Sequence, residues 1–216
     1  MAELLPLNPD ELLTTTRAVR KRLDLTRPVE RSVVERCIEI AMQAPSGSNR
    51  QTWQFVLVDE PEVKQQLADL YGSVFDSFSS STPAATFDET DTRAQRKAHV
   101  NASAQHLRDH LHEVPVMLLA YQLGRPDQLP AGSQPGWWGS VVPAVWSFML
   151  ALRARGLGSV WTTMVCRKEA EVAEILGVDM AEHCLIGLFP VAYTIGTDFK
   201  PAPRVDPAGV VHWNHW

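Results

Sequence analysis

At 216 residues, 45% apolar and 21% charged, the chain is long enough for one globular domain that buries roughly 70% of its unfolded surface, and short for two. Its net charge of −5 argues against a nucleic-acid partner, which normally requires a basic face. No stretch reaches the ~18 apolar residues of a membrane span, and the first residues, MAELLPLNPDELL, carry acids where a secretory signal carries bases, so a cytoplasmic protein is expected.

Asn8 followed by Pro9 reads as a helix start, and Glu11 to Thr16 predict a short helix running into the basic segment Arg17–Arg22. If the helix persists, Arg17 and Arg20, three apart, share a face. From Glu30 to Ala44, Val34, Cys37, Ile38 and Ala41 form one apolar stripe, and Pro45 should stop that helix. Residues 45–49 are loop material, and TWQFVLVDE after them reads as a strand. Pro61 opens a helix expected to reach Leu70. The Ser-, Thr- and Asp-rich stretch from Ser73 to Thr92 is expected to be a mobile loop or lid.

Arg93 to Glu113 predicts a polar helix, and Pro115 to Tyr121 a strand buried on both faces. The Gly- and Pro-rich residues 124–139 read as loop, Ser140 to Arg155 as an apolar helix ended by Gly156, and Ser159 to Val165 as a short strand. Glu169 to Leu176 should form a helix capped by Gly177. Leu185 to Ile195 should form a strand interrupted by Pro190, and the tail from Lys200 carries Trp213 and Trp216, which need a surface to lie on. Helices and strands interleave without a βαβ rhythm, which predicts a layered α+β domain and not a doubly wound one. Cys37, Cys166 and Cys184 sit apart in apolar surroundings and read as buried free thiols. His106 and His110 are four apart on the polar helix, but no third ligand falls at a suitable offset, so no metal site is expected. No Gly-x-Ser-x-Gly elbow and no Gly-x-Gly-x-x-Gly turn appears, which removes the hydrolase and Rossmann dehydrogenase readings.

Three segments carry the chemistry. The guanidinium forks of Arg17 and Arg20 suit a phosphate. Ala44-Pro-Ser-Gly-Ser-Asn-Arg-Gln-Thr-Trp-Gln-Phe55 joins small residues, which allow close approach to a flat ring, to polar side chains for its edge. Arg155-Gly-Leu-Gly-Ser-Val-Trp-Thr-Thr163 ends an apolar helix in two glycines before a strand. Alone, each has an ordinary structural reading.

Together, in this order and spacing and with Arg204 late in the chain, they resemble the nitroreductase family, from Thr15 to the C-terminus. The resemblance implies a three-layer fold, a mostly antiparallel sheet flanked by helices, in an intertwined homodimer whose C-terminal segment crosses to the partner, with FMN in the interface. It implies a flavin-dependent oxidoreductase that passes hydride from NADPH or NADH to a small electron-poor aromatic acceptor such as a nitroaromatic or a quinone. No side chain is implied as a catalytic nucleophile, because the flavin carries the chemistry. Arg17, Ala18 and Arg20 match the family's phosphate and ribityl contacts. Pro45, Ser46, Gly47 and Asn49 match the stretch that lies against the flavin from the second chain. Thr162, Thr163 and Met164 fall where backbone donors meet the pyrimidine and N5 side, Arg204 matches a second phosphate contact, and Lys200 is a helper. Trp137, Trp138 and the region Ser73 to Phe87 would wall an acceptor pocket, a plain packing role being the alternative for the tryptophans. Where many members have Arg-Arg-Ser-Val-Arg, this chain has Thr16-Arg-Ala-Val-Arg, so one cation and one hydroxyl are missing. A mid-chain flavin contact is not assigned. Other readings on the same scaffold are a flavin reductase, a reductive dehalogenase or a flavin-fragmenting enzyme; a protein that only stores or senses flavin is a further one.

Overall fold

The structure is a computed structural model, and it describes residues 3–81, 86–87 and 91–216. Four strands, β1 (Trp53–Val58), β2 (Val116–Leu123), β3 (Leu157–Gly158) and β4 (His183–Tyr193), form one sheet in the order β1-β2-β4-β3, with every neighbouring pair antiparallel. Side chains alternate across a strand, so β2 feeds two cores. Leu118 and Ala120 face one side, with Phe189 and Val191 of β4. Met117, Leu119 and Tyr121 face the other, with Leu188 and Ala192. A bulge between Ala120 and Tyr121 shifts the register against β4.

The first face is covered by α2 (Arg31–Ala41) and α5 (Gln134–Arg153), whose Val34, Cys37, Val145 and Phe148 are buried there. The second is covered by α3 (Pro61–Ser81) and α6 (Glu169–Leu176) through Leu67, Tyr71 and Val172. α4 (Thr92–His110) lies outside α3; its Arg108 packs on Gly72 and pairs with Asp76. The short α1 (Pro9–Thr15) closes the end of α5. A mostly antiparallel sheet between two helical layers is the α+β arrangement the sequence predicts.

The sequence-based boundaries need correction at five places. α1 ends at Thr15, because Thr16 turns to an extended ψ of 130°, so the Arg17–Arg22 segment is not helical and the shared face of Arg17 and Arg20 does not form. α3 runs on to Ser81, since Leu67, Ala68, Tyr71 and Val74 continue one buried stripe through the serines; the expected lid is therefore helical over Ser73–Ser81, and its residues 82–85 and 88–90 lie outside the described residues. α5 starts at Gln134, inside the expected loop, because Pro135 sits in the first turn, where its missing N–H is not needed. The expected strand Ser159–Val165 is reduced to single bridges at Ser159 and Thr162, followed by a 3-10 turn at Met164–Lys168. β4 passes through Pro190 without interruption, paired to Met117. Opposite it, residues 159–161 leave the ladder between the Gly158–Ala192 pair and the Thr162–Leu188 bridge, so no donor is missed there.

Candidate functional site

Two of the three motif segments meet at the β3 edge of the sheet. Beyond α1 the chain runs extended, Ala18 forms a parallel bridge with Ser159, and the Val19 N–H donates to the Ser159 carbonyl at 2.8 Å. The approach needs a glycine: a Cβ on Gly158 would lie 2.7 Å from Thr194 Cγ2 and 3.0 Å from Val19 Cβ. The second glycine of the Gly-Leu-Gly run thus docks the basic segment.

The two arginines of that segment have separate neighbourhoods. Burial first, then the charges of Arg96 and Arg204, hold the Arg17 guanidinium below its ordinary pKa. Arg20 is lowered by burial alone, and the Tyr71 phenol beside it acts the other way. Tyr71, 3% exposed, is raised by burial against the opposing influence of the Thr162 hydroxyl and Arg20, so it stays a neutral phenol. Among the described residues, no carboxylate pairs with Arg17, Arg20, Arg96 or Arg204. Like charges brought together without an acid create a demand for an anion.

The pocket beside Arg17 is lined by Thr15, Thr16, Met149, Arg153, Ser159 and Phe199. Arg153 is buried. It donates to Thr15 Oγ1 at 3.1 Å and to the Thr197 carbonyl at 3.1 Å, yet its Nη1 and the Ser159 Oγ have no partner among the described residues. The start of the tail is fastened here: Arg22 pairs with Asp198 at 2.5 Å, and Phe199 lies under both Arg22 and Arg153. Lys200 is exposed, and its charge adds weakly to the lowering of the Asp198 pKa that Arg22 leads.

Thr162 is fixed by two backbone hydrogen bonds with Leu188, of 3.0 and 2.9 Å. Its N–H is therefore not available to a ligand, which leaves its side chain and the backbone of Thr163 and Met164. The third motif segment is placed elsewhere. Gly47 N–H donates to Ser140 Oγ at 2.9 Å, and Trp53 Nε1 donates to the Ser140 carbonyl at 2.6 Å, so Pro45, Ser46, Gly47 and Asn49 sit at the beginning of α5. The pocket by Arg17 touches its end. From Ser140 to Arg153 is about 20 Å of helix at 1.5 Å per residue, and one chain does not bring these two halves together. Ser48, Asn49 and Gln51 all have φ near +50°, uncommon for non-glycine residues and frequent at binding loops. Trp137 donates to the Leu123 carbonyl at 3.0 Å and stands edge-to-face with Trp138.

Sequence reasoning missed Tyr71, Arg96 and Arg153. Tyr71 would have emerged from extending the apolar stripe of α3 past Leu70, whereas nothing in the sequence marks Arg96 or Arg153.

A mostly antiparallel sheet between helices, with a basic pocket at its short edge strand that has no carboxylate among the described residues, defines the frame of a flavin oxidoreductase of the nitroreductase type. The chain belongs to the nitroreductase family, whose profile matches residues 13–193. It is 28% identical over 201 residues to an iodotyrosine deiodinase of Drosophila melanogaster, a match covering 87% of this chain and 64% of the relative. It is 30% identical over 142 residues to a 5,6-dimethylbenzimidazole synthase of Rhodospirillum rubrum, covering 64% of this chain and 61% of the relative. The chain thus spans somewhat less than two thirds of the length of the curated relatives it matches. Among solved structures, the FMN- and NADPH-dependent nitroreductase NfnB of Sphigopyxis sp. strain HMH superimposes with a TM-score of 0.71 at 24% identity, covering 97% of this chain and 100% of that one. Among the described residues, no helix is long and apolar enough to cross a membrane, and no cluster of three metal-ligating side chains occurs.

Proposed function

We propose that the chain is a single-domain, FMN-dependent oxidoreductase that works as a homodimer in the cytoplasm, reducing a small electron-poor aromatic acceptor at the expense of NADPH or NADH. The observation that carries this reading is the docking of the basic segment at Gly158, which sets Arg17 at a pocket shared with the buried Arg153 and lined by no described carboxylate. A phosphate dianion fits that demand, and the unpartnered Ser159 Oγ offers a neutral donor beside it. Arg17 and Arg204 would hold the phosphate, and Ala18 and Arg20 the ribityl side, with Lys200 as a helper. Thr163 and Met164 offer backbone donors to the pyrimidine edge, where fixed positive potential favours a reduced, anionic ring; the Thr162 side chain and Tyr71 support that edge.

When bound, FMN supplies the two-electron chemistry between nicotinamide and acceptor. The chain's own residues bind it, orient it and shield it from water. Pro45, Ser46, Gly47 and Asn49 would come from the other chain, a reading that their distance from Arg17 along α5 supports. The exposed Val210, Val211, Trp213 and Trp216 would find their cover on that partner. The likeness to iodotyrosine deiodinase supports a second reading, in which the acceptor is a halogenated phenol and the reaction a reductive dehalogenation.

The test is the visible spectrum of purified protein before and after anaerobic NADPH or NADH, followed by a nitroaromatic, a quinone and 3-iodotyrosine as acceptors. Bleaching by a nicotinamide and reoxidation by the nitroaromatic or quinone supports the first reading; reoxidation by iodotyrosine alone supports the second. No flavin bands after reconstitution with FMN overturns both. Light scattering should give twice the chain mass of 24.1 kDa, and a flavin-loaded monomer refutes the two-chain site.

A further inference from the structure

β4 is bulged where it faces β2: Ala120 pairs with Gly187 and Tyr121 with Leu185, so Ile186 is the extra residue. On its other side β4 meets Thr162, which exchanges two backbone hydrogen bonds with Leu188. In an antiparallel ladder such bonded pairs recur at every second residue. The next pair would therefore join Met164 to Ile186, with the Met164 N–H donating to the Ile186 carbonyl. That bond does not form. Trp161 Nε1 donates to the Ile186 carbonyl instead, at 3.0 Å, and the chain turns into the 3-10 segment Met164–Lys168.

The indole fits because residue 187 is glycine. A Cβ there would run into Trp161 Nε1, with Trp161 Cδ1 at 2.6 Å and the Thr162 carbonyl oxygen at 2.9 Å. The ring is held further by stacking on Phe189, with centroids 5.7 Å apart and planes at 29°. A side chain thus takes the acceptor that the backbone would have used. The N–H groups of Thr163 and Met164 make no hydrogen bond among the described residues. Thr163 is exposed and Met164 only half-buried, so the pair lies within reach of a ligand. Two successive unbonded N–H groups, on a backbone fixed at Thr162, form a donor pair for an electron-rich edge.

We infer that Trp161 and Gly187 are positioning residues: the indole, admitted by the glycine, holds the Ile186 carbonyl and keeps the Thr163 and Met164 N–H groups open for the pyrimidine edge of the flavin. This rests on the flavin reading above. A donor pair so placed favours the reduced, anionic ring over the oxidised one, so the device sets the redox potential as well as the affinity.

The experiment compares wild type with Trp161→Phe, Gly187→Ala and the double variant. Trp161→Phe keeps a ring to stack on Phe189 but has no N–H, so the Ile186 carbonyl is released to Met164. Two quantities are read: the midpoint potential of bound FMN, against a dye of known potential, and the amide hydrogen exchange of Met164 in the apoprotein. In Trp161→Phe the preference for reduced over oxidised FMN should fall about 10-fold, which lowers the potential by ~30 mV for a two-electron couple. The Met164 amide should exchange more slowly than in wild type. Gly187→Ala should lower the potential in the same direction, and because both substitutions act on one contact, the double variant should shift no further than the stronger single one. A merely packing role for Trp161 would weaken oxidised and reduced FMN alike and leave the potential in place. A flavin-loaded Trp161→Phe whose potential stays within ~9 mV of wild type, a 2-fold change, overturns the inference alone, as does unchanged exchange at Met164. Should Gly187→Ala not fold, Trp161→Phe decides, and where a variant loses its FMN the exchange decides. Wild type that takes up no FMN overturns the flavin reading, and the inference with it.

Discussion

Replacing Gly158 with Ala tests the link between packing and cofactor binding. The added Cβ would stand 2.7 Å from Thr194 Cγ2, 3.0 Å from Val19 Cβ and 3.1 Å from Val19 Cγ1, against an ordinary carbon–carbon separation of ~3.5–4.0 Å. The shortfall is about 0.4–1.3 Å. Neither neighbour can swing aside freely: Thr194 is held through its hydroxyl on the Gly156 carbonyl at 3.1 Å, and Val19 Cβ moves only with a backbone bonded to Ser159. The Arg17–Arg20 segment must therefore shift away from β3. Overpacking of this kind costs about 1–3 kcal/mol, which at ~2–4 °C per kcal/mol for this length lowers the melting temperature by roughly 2–12 °C. Displaced guanidiniums lose charge-assisted contacts of ~1.5–3 kcal/mol each, so FMN affinity should fall at least about 10-fold. Thermal melts of apoprotein and FMN titration by flavin fluorescence measure the two effects. A Gly158→Ala protein that melts within 1 °C of wild type (roughly the precision of a melt) and keeps its FMN affinity would refute the docking argument.

Arg20→Ala should weaken FMN binding by on the order of 1.5–3 kcal/mol; a purified variant that retains a full complement of flavin removes Arg20 from the site. Burial raises the Cys37 thiol to about 11, Cys166 to about 12 and Cys184 to about 11, whereas unfolded thiols titrate near ~8.5. The folded state therefore holds protons that the unfolded state releases. Their stabilisation is complete below pH ~8.5 and is lost as pH rises through about 11 for Cys37 and Cys184 and about 12 for Cys166, so denaturation midpoints should drop over that window. By the same cause none of the three should be alkylated by iodoacetamide at pH ~8 in the folded protein, while all should react once it is unfolded; mass spectrometry that finds prompt labelling of any one contradicts its inert setting. Asn8 accepts from the Glu11 N–H at 2.9 Å, and Glu11 accepts from the Asn8 N–H at 2.9 Å; Asn8→Ala should cost ~1 kcal/mol, read as a melting shift of a few degrees, and an unchanged melt would show that α1 frays without cost.

Much of the architecture is legible in residue order. The stripe of Val34, Cys37 and Ala41, the continuous apolar run of β2 and the left-handed cap at Gly177 each declare their element through local periodicity or a backbone requirement. Errors cluster where composition misleads. Serines hid the second half of α3, whose buried stripe lies on the other side of the helix. Gly and Pro hid the first turn of α5, where Pro is favourable. The extended Thr16 broke a helix that its neighbours would have continued.

Of the candidate site, the sequence by itself determined which residue types are present to meet a phosphate and a flat ring, because charge, small size and spacing are properties of the chain. It did not determine which of them meet. That Gly158 lets Val19 approach, that Thr162 has its N–H committed to Leu188, and that Arg17 shares a pocket with the buried Arg153, all follow from contacts between segments far apart in sequence. Only the tertiary structure separates the Pro45–Asn49 loop from the basic pocket by the length of α5. The reason is physical: local propensity acts over a few residues, whereas a binding site depends on side chains converging from elements whose relative positions are set by burying two faces of one sheet.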